Sequence, residues 1–355
     1  MKKRIKIIAL LLTIVIIFSM ISACGNKQEE PVTSNDTPPS ASTPKLTGGK
    51  DIYNDPIKIA FISMSTAGSA NRLYQFALTE QASRYPNVSL NFMDGEFDPN
   101  RQITLMEEVV TQGYDAVILE AMDAYALNHV VDAAEESGVV VISLGNPSPT
   151  TTHTLHMAGA DYTIGRESAA YLAEMTGGEG TAIILDCPAG FKTMALMGTG
   201  FEDYIVENTN IEILEIIGID NWSGDNAQIA MRDVLTKYGP GEITMVYCAS
   251  DDIANGAMNA ITTANREGDG ILLWGFMGYP AAFESIKEGK MTGTMFYDLY
   301  VIIASMFHSA LYFIAIGANS RDIGYEETPY IETQLLATTI ENVDYIMGAS
   351  RWYRP

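Results

Sequence analysis

The chain has 355 residues, of which 47% are hydrophobic; this is too apolar for a disordered chain and long enough for about two domains. Its 44 acidic residues outnumber 21 basic ones, a formal charge of −23, which argues against nucleic acid and against adhesion of the folded body to anionic lipid. Three cysteines are too few for a disulfide scaffold or a Cys-rich metal site.

Lys2, Lys3, Arg4 and Lys6 precede the apolar run Ile7 to Ile21, and the small residues Ser22 and Ala23 follow it. A basic head, an apolar stretch and small residues form a secretory signal over residues 1–23; the run is short for a membrane span. Ile21-Ser22-Ala23-Cys24 resembles a bacterial lipobox. That resemblance implies cleavage before Cys24, a lipid such as palmitate carried there, and a body tethered to the extracytoplasmic face of the cell membrane. An uncleaved anchor is the alternative, with the same placement. Residues 24–56 are rich in Ser, Thr, Pro and Asn, lack a hydrophobic period and read as a disordered linker.

From Ile57 the pattern alternates. Ile57 to Ser63 is a short apolar strand, Asn71 to Tyr85 is helical, and Val88 to Met93 is a strand of period two. Asp98 to Gly113 carries Ile103, Met106, Val109 and Val110 on one helical face. Strand Ala116 to Leu119, helix Asp123 to Gly138 and strand Val139 to Ser143 follow. The alternation restarts with helix Asp161 to Thr176, strand Gly180 to Asp186, helix Thr193 to Asn208 and strand Ile211 to Ile217. Helix Gly224 to Tyr238, strand Thr244 to Tyr247, helix Ile253 to Asn265 and strand Ile271 to Gly275 complete it. Continuously apolar strands separated by helices predict parallel sheets covered on both faces. Two such halves, joined near residues 145–158, leave a cleft at the carboxyl ends of their strands, where ligands bind in this class of sheet.

Several short segments carry a resemblance: Gly138 to Ser143, Ala160-Asp161 with Gly165-Arg166, Gly198-Thr-Gly-Phe-Glu202, Ala249 to Ala257, Leu273 to Phe276 and Ile286 to Thr294. In this order they resemble the type I periplasmic binding proteins, in particular the ribose/galactose branch that feeds sugar ABC transporters. The resemblance implies an α/β fold of two doubly wound, Rossmann-like parallel-sheet lobes joined by a three-segment hinge. It implies one lobe of residues 57–158 plus 298–325 and another of 159–297 plus 326–355. It also implies a small carbohydrate or sugar derivative bound between the lobes without catalysis, and delivery to an ABC permease pair with its ATPase. The alternatives are a sensing subunit for a membrane kinase or chemoreceptor, and a secreted carbohydrate-active enzyme resting on the carboxylates Glu120 and Asp251.

Sugar recognition uses flat aromatic faces and planar polar groups at strand ends. After the first strand, Asn71, Arg72 and Tyr74 have the matching chemistry, with Tyr74 in the core and Ser69 or Asn71 as a helix cap the alternatives. Glu120 follows the third strand and Asn146 the fourth; the family's charged Asp-Arg clamp is absent there. In the second half Lys192, Trp222, Ser250, Asp251, Met277 and Tyr297 hold the corresponding positions, and Asp251 has the rival role of helix cap. Trp222 stands in a polar loop with little local core to join. With Tyr74, Phe276 and Tyr297 it predicts an aromatic-rich pocket, and the missing clamp predicts a ligand other than free ribose or glucose. The four histidines lack metal-site spacing, no cofactor motif appears, and Cys187 and Cys248 read as buried free thiols, with a disulfide the less suited alternative. Leu299 to Gly317 is apolar enough to cross a bilayer but reads as a buried helix.

Overall fold

The computed structural model describes residues 48–146, 153–158, 161–188, 195–323, 330–332 and 335–351. In chain order these form β1 (Ile57–Ser63), α1 (Ser69–Ala82), β2 (Val88–Asp94), α2 (Pro99–Thr111), β3 (Ala116–Glu120), α3 (Asn128–Glu136), β4 (Val140–Leu144) and β5 (Leu155–Ala158). Next come α4 (Asp161–Thr176), β6 (Thr181–Asp186), α5 (Ala195–Asn208), β7 (Glu212–Gly218), α6 (Gly224–Lys237), β8 (Met245–Cys248), α7 (Asp251–Thr263), β9 (Leu272–Met277), α8 (Pro280–Lys287) and β10 (Gly293–Tyr297). The chain closes with α9 (Leu299–Ile316), α10 (Ser320–Ile323), β11 (Tyr330–Glu332), β12 (Leu335–Thr339) and α11 (Val343–Ala349).

Two six-stranded sheets result, ordered β11-β5-β4-β3-β1-β2 and β12-β10-β9-β8-β6-β7. Every pairing is parallel except β12 against β10. The apolar runs explain this. All residues of β3, β4 and β8 are buried, so helices must cover both faces of each sheet. This is the doubly wound α/β pair that the alternating pattern predicts.

Local chemistry sets the helix starts. Asp98 accepts the Asn100 amide at 2.9 Å and Pro99 occupies the first turn of α2. Asp123 does not start a helix, as the sequence suggested. Its carboxylate accepts the amides of Tyr125 and Ala126 in a turn, and α3 begins only at Asn128. Helices α4 and α5 meet backbone to backbone: a Cβ on Gly165 would lie 1.9 Å from the Met197 carbonyl, and one on Gly200 would lie 2.1 Å from that of Tyr162. The glycines of the Gly165-Arg166 and Gly198-Thr-Gly segments thus permit the close approach of two helices.

Helix α9 is long and apolar enough to cross a membrane by length and composition. In the fold it lies on α1, β3 and β4, with Ile302, Ile303, Met306, Phe307 and Ala310 buried. Gly317, at φ 64°, ends it.

The chain passes between the sheets three times: after β5, between Tyr297 and Leu299, and between β11 and β12. Two expected boundaries need correction. Residues 330–332 pair in parallel with β5 in the first sheet, so they do not belong with the second lobe as 326–355 implied. The expected linker 24–56 is too long at its end. The Lys50 amide bonds the Ile314 carbonyl at 3.1 Å, its ammonium bonds Asp115 at 2.6 Å, and Asn87 donates to the carbonyls of Ile52 and Asp55. Residues 1–47, with the signal, Cys24 and most of the linker, lie outside the described residues.

Candidate functional site

The carboxyl ends of both sets of parallel strands face one cleft. Its walls come from both sheets: Tyr74, Phe97, Glu120 and Asn146 from the first, Trp222, Ser250, Phe276, Met277, Tyr279 and Tyr297 from the second. Leu299 and Asp161 line it beside two of the three crossings. The cavity volume is about 130 Å³, room for a small guest molecule rather than a single water.

Glu120 ends β3 and is buried. One oxygen accepts the Met64 amide at 3.1 Å and the other accepts the Tyr74 hydroxyl at 3.1 Å. Burial raises its pKa from the usual carboxylate range, against the pull of those two donors. The strand ends around it are held by Gln102, which is fully buried. Its amide nitrogen donates to the carbonyls of Ser63 and Glu120, and its oxygen accepts the Met122 amide at 2.8 Å. Sequence periodicity could not single out Gln102, because a polar residue on the apolar face of α2 looks like an interruption.

Asn71 and Tyr74 share the inward face of α1 and are 2% and 3% exposed. The Asn71 oxygen accepts from Gln75 at 2.5 Å, while its amide nitrogen has no partner among the described residues. Arg72 departs from expectation: one helical step from Asn71, it is exposed, bonds Ser69 at 3.2 Å and does not line the cleft. At the rim the Ser69 hydroxyl donates to Asp252 at 2.9 Å, a direct bond between the lobes.

Asp251 also departs from expectation. It is fully buried, with one oxygen accepting the amides of Gly278 and Tyr279, both at 2.7 Å, and the other the Thr294 hydroxyl at 2.7 Å. Those bonds tie α7 to the ends of β9 and β10 and leave no face for a ligand. Its neighbour Asp252 faces the cleft instead. The cap of α7 is Ser250, whose hydroxyl accepts the Ile253 amide at 3.2 Å. Lys192 lies outside the described residues. Asn71, Tyr74, Glu120, Asn146, Trp222, Ser250, Met277 and Tyr297 are brought together around one space.

Phe97, Asp161, Asp252 and Tyr279 were not anticipated. The rule of reading strand ends would have found Phe97 after β2 and Tyr279 after β9. Choosing Asp252 over Asp251 required the fold. Backbone strain gathers here too. Phe97, Asn221, Trp222 and Met277, at φ 53°, 56°, 55° and 109°, all line the cleft. Left-handed non-glycine residues cost about 1–3 kcal/mol each and concentrate at ligand sites.

Elsewhere, His153 and His156 are buried near the first crossing. His156 bonds the Ser143 hydroxyl at 2.8 Å, and burial depresses the two rings to about 4 and about 3, so both are neutral at pH 7. Cys187 and Cys248, near adjacent strands β6 and β8, are buried and are not joined in a disulfide. Among the described residues no group of three His, Cys, Asp or Glu could hold a metal.

Residues 59–318 match the periplasmic binding protein domain family. The ribose import binding protein of Bacillus subtilis is 24% identical over 258 residues, covering 73% of this chain and 80% of that protein. The xylitol-binding protein of Mycolicibacterium smegmatis is 26% identical over 208 residues, 59% of this chain. The match spans 58% of that relative's length. An ABC transporter solute binding protein from Bacillus halodurans, solved with myo-inositol, superposes with a TM-score of 0.73 at 21% identity, covering 84% of this chain and 99% of the other. At that identity the likeness shows the fold.

Proposed function

Because this chain belongs to the periplasmic binding protein domain family, we propose that it is the solute receptor of an ABC importer, holding a small carbohydrate or sugar derivative between its lobes. The carrying observation is the shape of the cleft: a space of about 130 Å³ lined from both lobes by six aromatic residues and by carboxamides and carboxylates. Aromatic faces cover the C–H surface of a sugar ring, and the polar groups bond its hydroxyls. A guest touching both lobes favours their approach, since it binds the closed arrangement better than the open one. The bound form then docks on a permease pair with a cytoplasmic ATPase. The cleft binds and releases its guest unchanged.

A thermal-shift screen of the body against pentoses, hexoses, sugar alcohols and inositols tests this reading. A guest at 100 times its Kd stabilises the folded form by about 2.7 kcal/mol. Trp222→Ala should weaken the best solute about 10- to 100-fold, the loss of one stacking face worth about 1.5–3 kcal/mol. Unchanged affinity for every solute would remove Trp222 from the site, and no stabilisation by any solute would remove the reading.

The basic head, apolar run and Cys24 support export and lipid anchoring. Cys24→Ser is expected to move the protein out of the membrane fraction or leave its signal uncleaved, as fractionation and intact-mass measurement would report. A variant processed and retained like the parent would contradict the anchor.

A further inference from the structure

Three carboxylates face the cleft, Glu120 from the first lobe and Asp161 and Asp252 from the second, and no Lys, Arg or His is among its described lining residues. The three are not equivalent. Glu120 receives the Met64 amide and the Tyr74 hydroxyl. Asp252 receives the Ser69 hydroxyl, with the Arg72 charge nearby. Asp161, the first residue of α4, receives no donor from the described residues, and burial alone holds it up at about 7. Across the cleft, Asn71 is 2% exposed, and its amide nitrogen has no described partner. The site therefore offers an open carboxyl group in one lobe and an open amide donor in the other.

A neutral polyol would leave three carboxyl groups confined together with no cation among the described lining residues. An anionic guest would meet repulsion from all three. A protonated amine would offset the charge, donate up to three hydrogen bonds and sit among aromatic faces that attract cations. Tyr74, Phe97, Trp222, Phe276, Tyr279 and Tyr297 supply those faces. The net charge of −23 draws cations toward the body and repels anions.

We propose that Asp161 makes the cleft selective for a solute carrying a protonated amine on a polyol frame, an amino sugar or aminated sugar alcohol, whose hydroxyl oxygen accepts from Asn71. This rests on the reading of the cleft as a sugar-type site and narrows its guest.

Calorimetric titration of the intact body at pH 7 with matched pairs tests it: glucosamine against glucose, and N-methylglucamine against sorbitol. In at least one pair the amine is expected to bind tenfold or more tightly than its neutral parent. Asp161→Asn, which keeps size and shape, should bring that pair within about twofold. A neutral parent that binds as tightly as its amine in both pairs overturns the inference, as does an Asp161→Asn variant that keeps the preference. The wild-type comparison decides even where the variant does not fold. If neither pair binds but a neutral sugar does, selectivity for amines is wrong and the receptor reading stands. If no sugar, sugar alcohol or amine binds, both fail.

Discussion

Replacing Asp251 by alanine is expected to destabilise the protein by about 3–5 kcal/mol, the range for breaking a buried charged network. The substitution strands three donors at once: the Gly278 and Tyr279 amides and the Thr294 hydroxyl. Each buried unsatisfied donor costs about 1–3 kcal/mol. The carboxylate packs tightly on β9, since a Cβ on Gly275 would lie 2.2 Å from its oxygen. Urea unfolding should show a lower midpoint at unchanged slope. Asp251→Asn keeps an acceptor for the amides and should cost clearly less. Burial, the largest influence on Asp251, raises it to about 7 against the pull of its three donors. Its folded pKa lies above the unfolded value of 3.8, so the folded state holds the extra proton between those limits. The contribution of Asp251 to stability therefore falls as pH rises from about 4 through 7, and the gap between parent and Asp251→Asn should narrow over that interval. An Asp251→Asn variant of parental stability that had lost its ligand would instead return Asp251 to the binding site.

Gly165→Ala should cost about 3 kcal/mol or more, because the new methyl meets backbone rather than a movable side chain. Its Cβ would stand 1.9 Å from the Met197 carbonyl and 2.7 Å from the Phe201 amide nitrogen. Overpacking in a core costs about 1–3 kcal/mol when side chains can yield; here a helix must shift. Gly200→Ala meets the Tyr162 carbonyl across the same helix pair and should behave alike. The double variant should cost less than the two singles together, since one separation of α4 from α5 relieves both clashes. Gly268→Ala is the control: its Cβ would meet nothing within 4 Å, so it should be neutral or stabilise by up to about 1 kcal/mol. Thermal melts of the four variants distinguish close helix approach from a general sensitivity to glycine replacement.

Much of the architecture was visible in local pattern. The continuous apolar runs at β3, β4 and β8 could only be strands covered on both faces. Helix α4 spans Asp161–Thr176, the range the alternating pattern predicts. Short strands were harder. β5 and β11 have four and three residues, too few to show a period, and their pairing depends on a partner remote in the chain. The apolar helix α9 carries serines and a histidine that a membrane span would have to bury in lipid. The Gln81 amide nitrogen donates to the Tyr300 hydroxyl at 2.7 Å, and its oxygen pairs with the His308 ring at 3.1 Å, a polar seam between α1 and α9.

The site divides along the same line. Strand ends mark which loops face the cleft, and they led to Tyr74, Glu120, Asn146, Trp222, Met277 and Tyr297. Direction within a loop or helix turn is another matter. Asn71 points inward and Arg72 outward; Asp251 is taken by the backbone amides that follow β9 and by the Thr294 hydroxyl of β10, while its neighbour faces the cleft. Sequence alone determined the kinds of element, their order and the strand ends that meet, because hydrophobic period and turn chemistry are local properties. Tertiary structure decided which polar atom at each end stays open to a guest and which is taken by the fold, because those amides and hydroxyls arrive from segments tens of residues away.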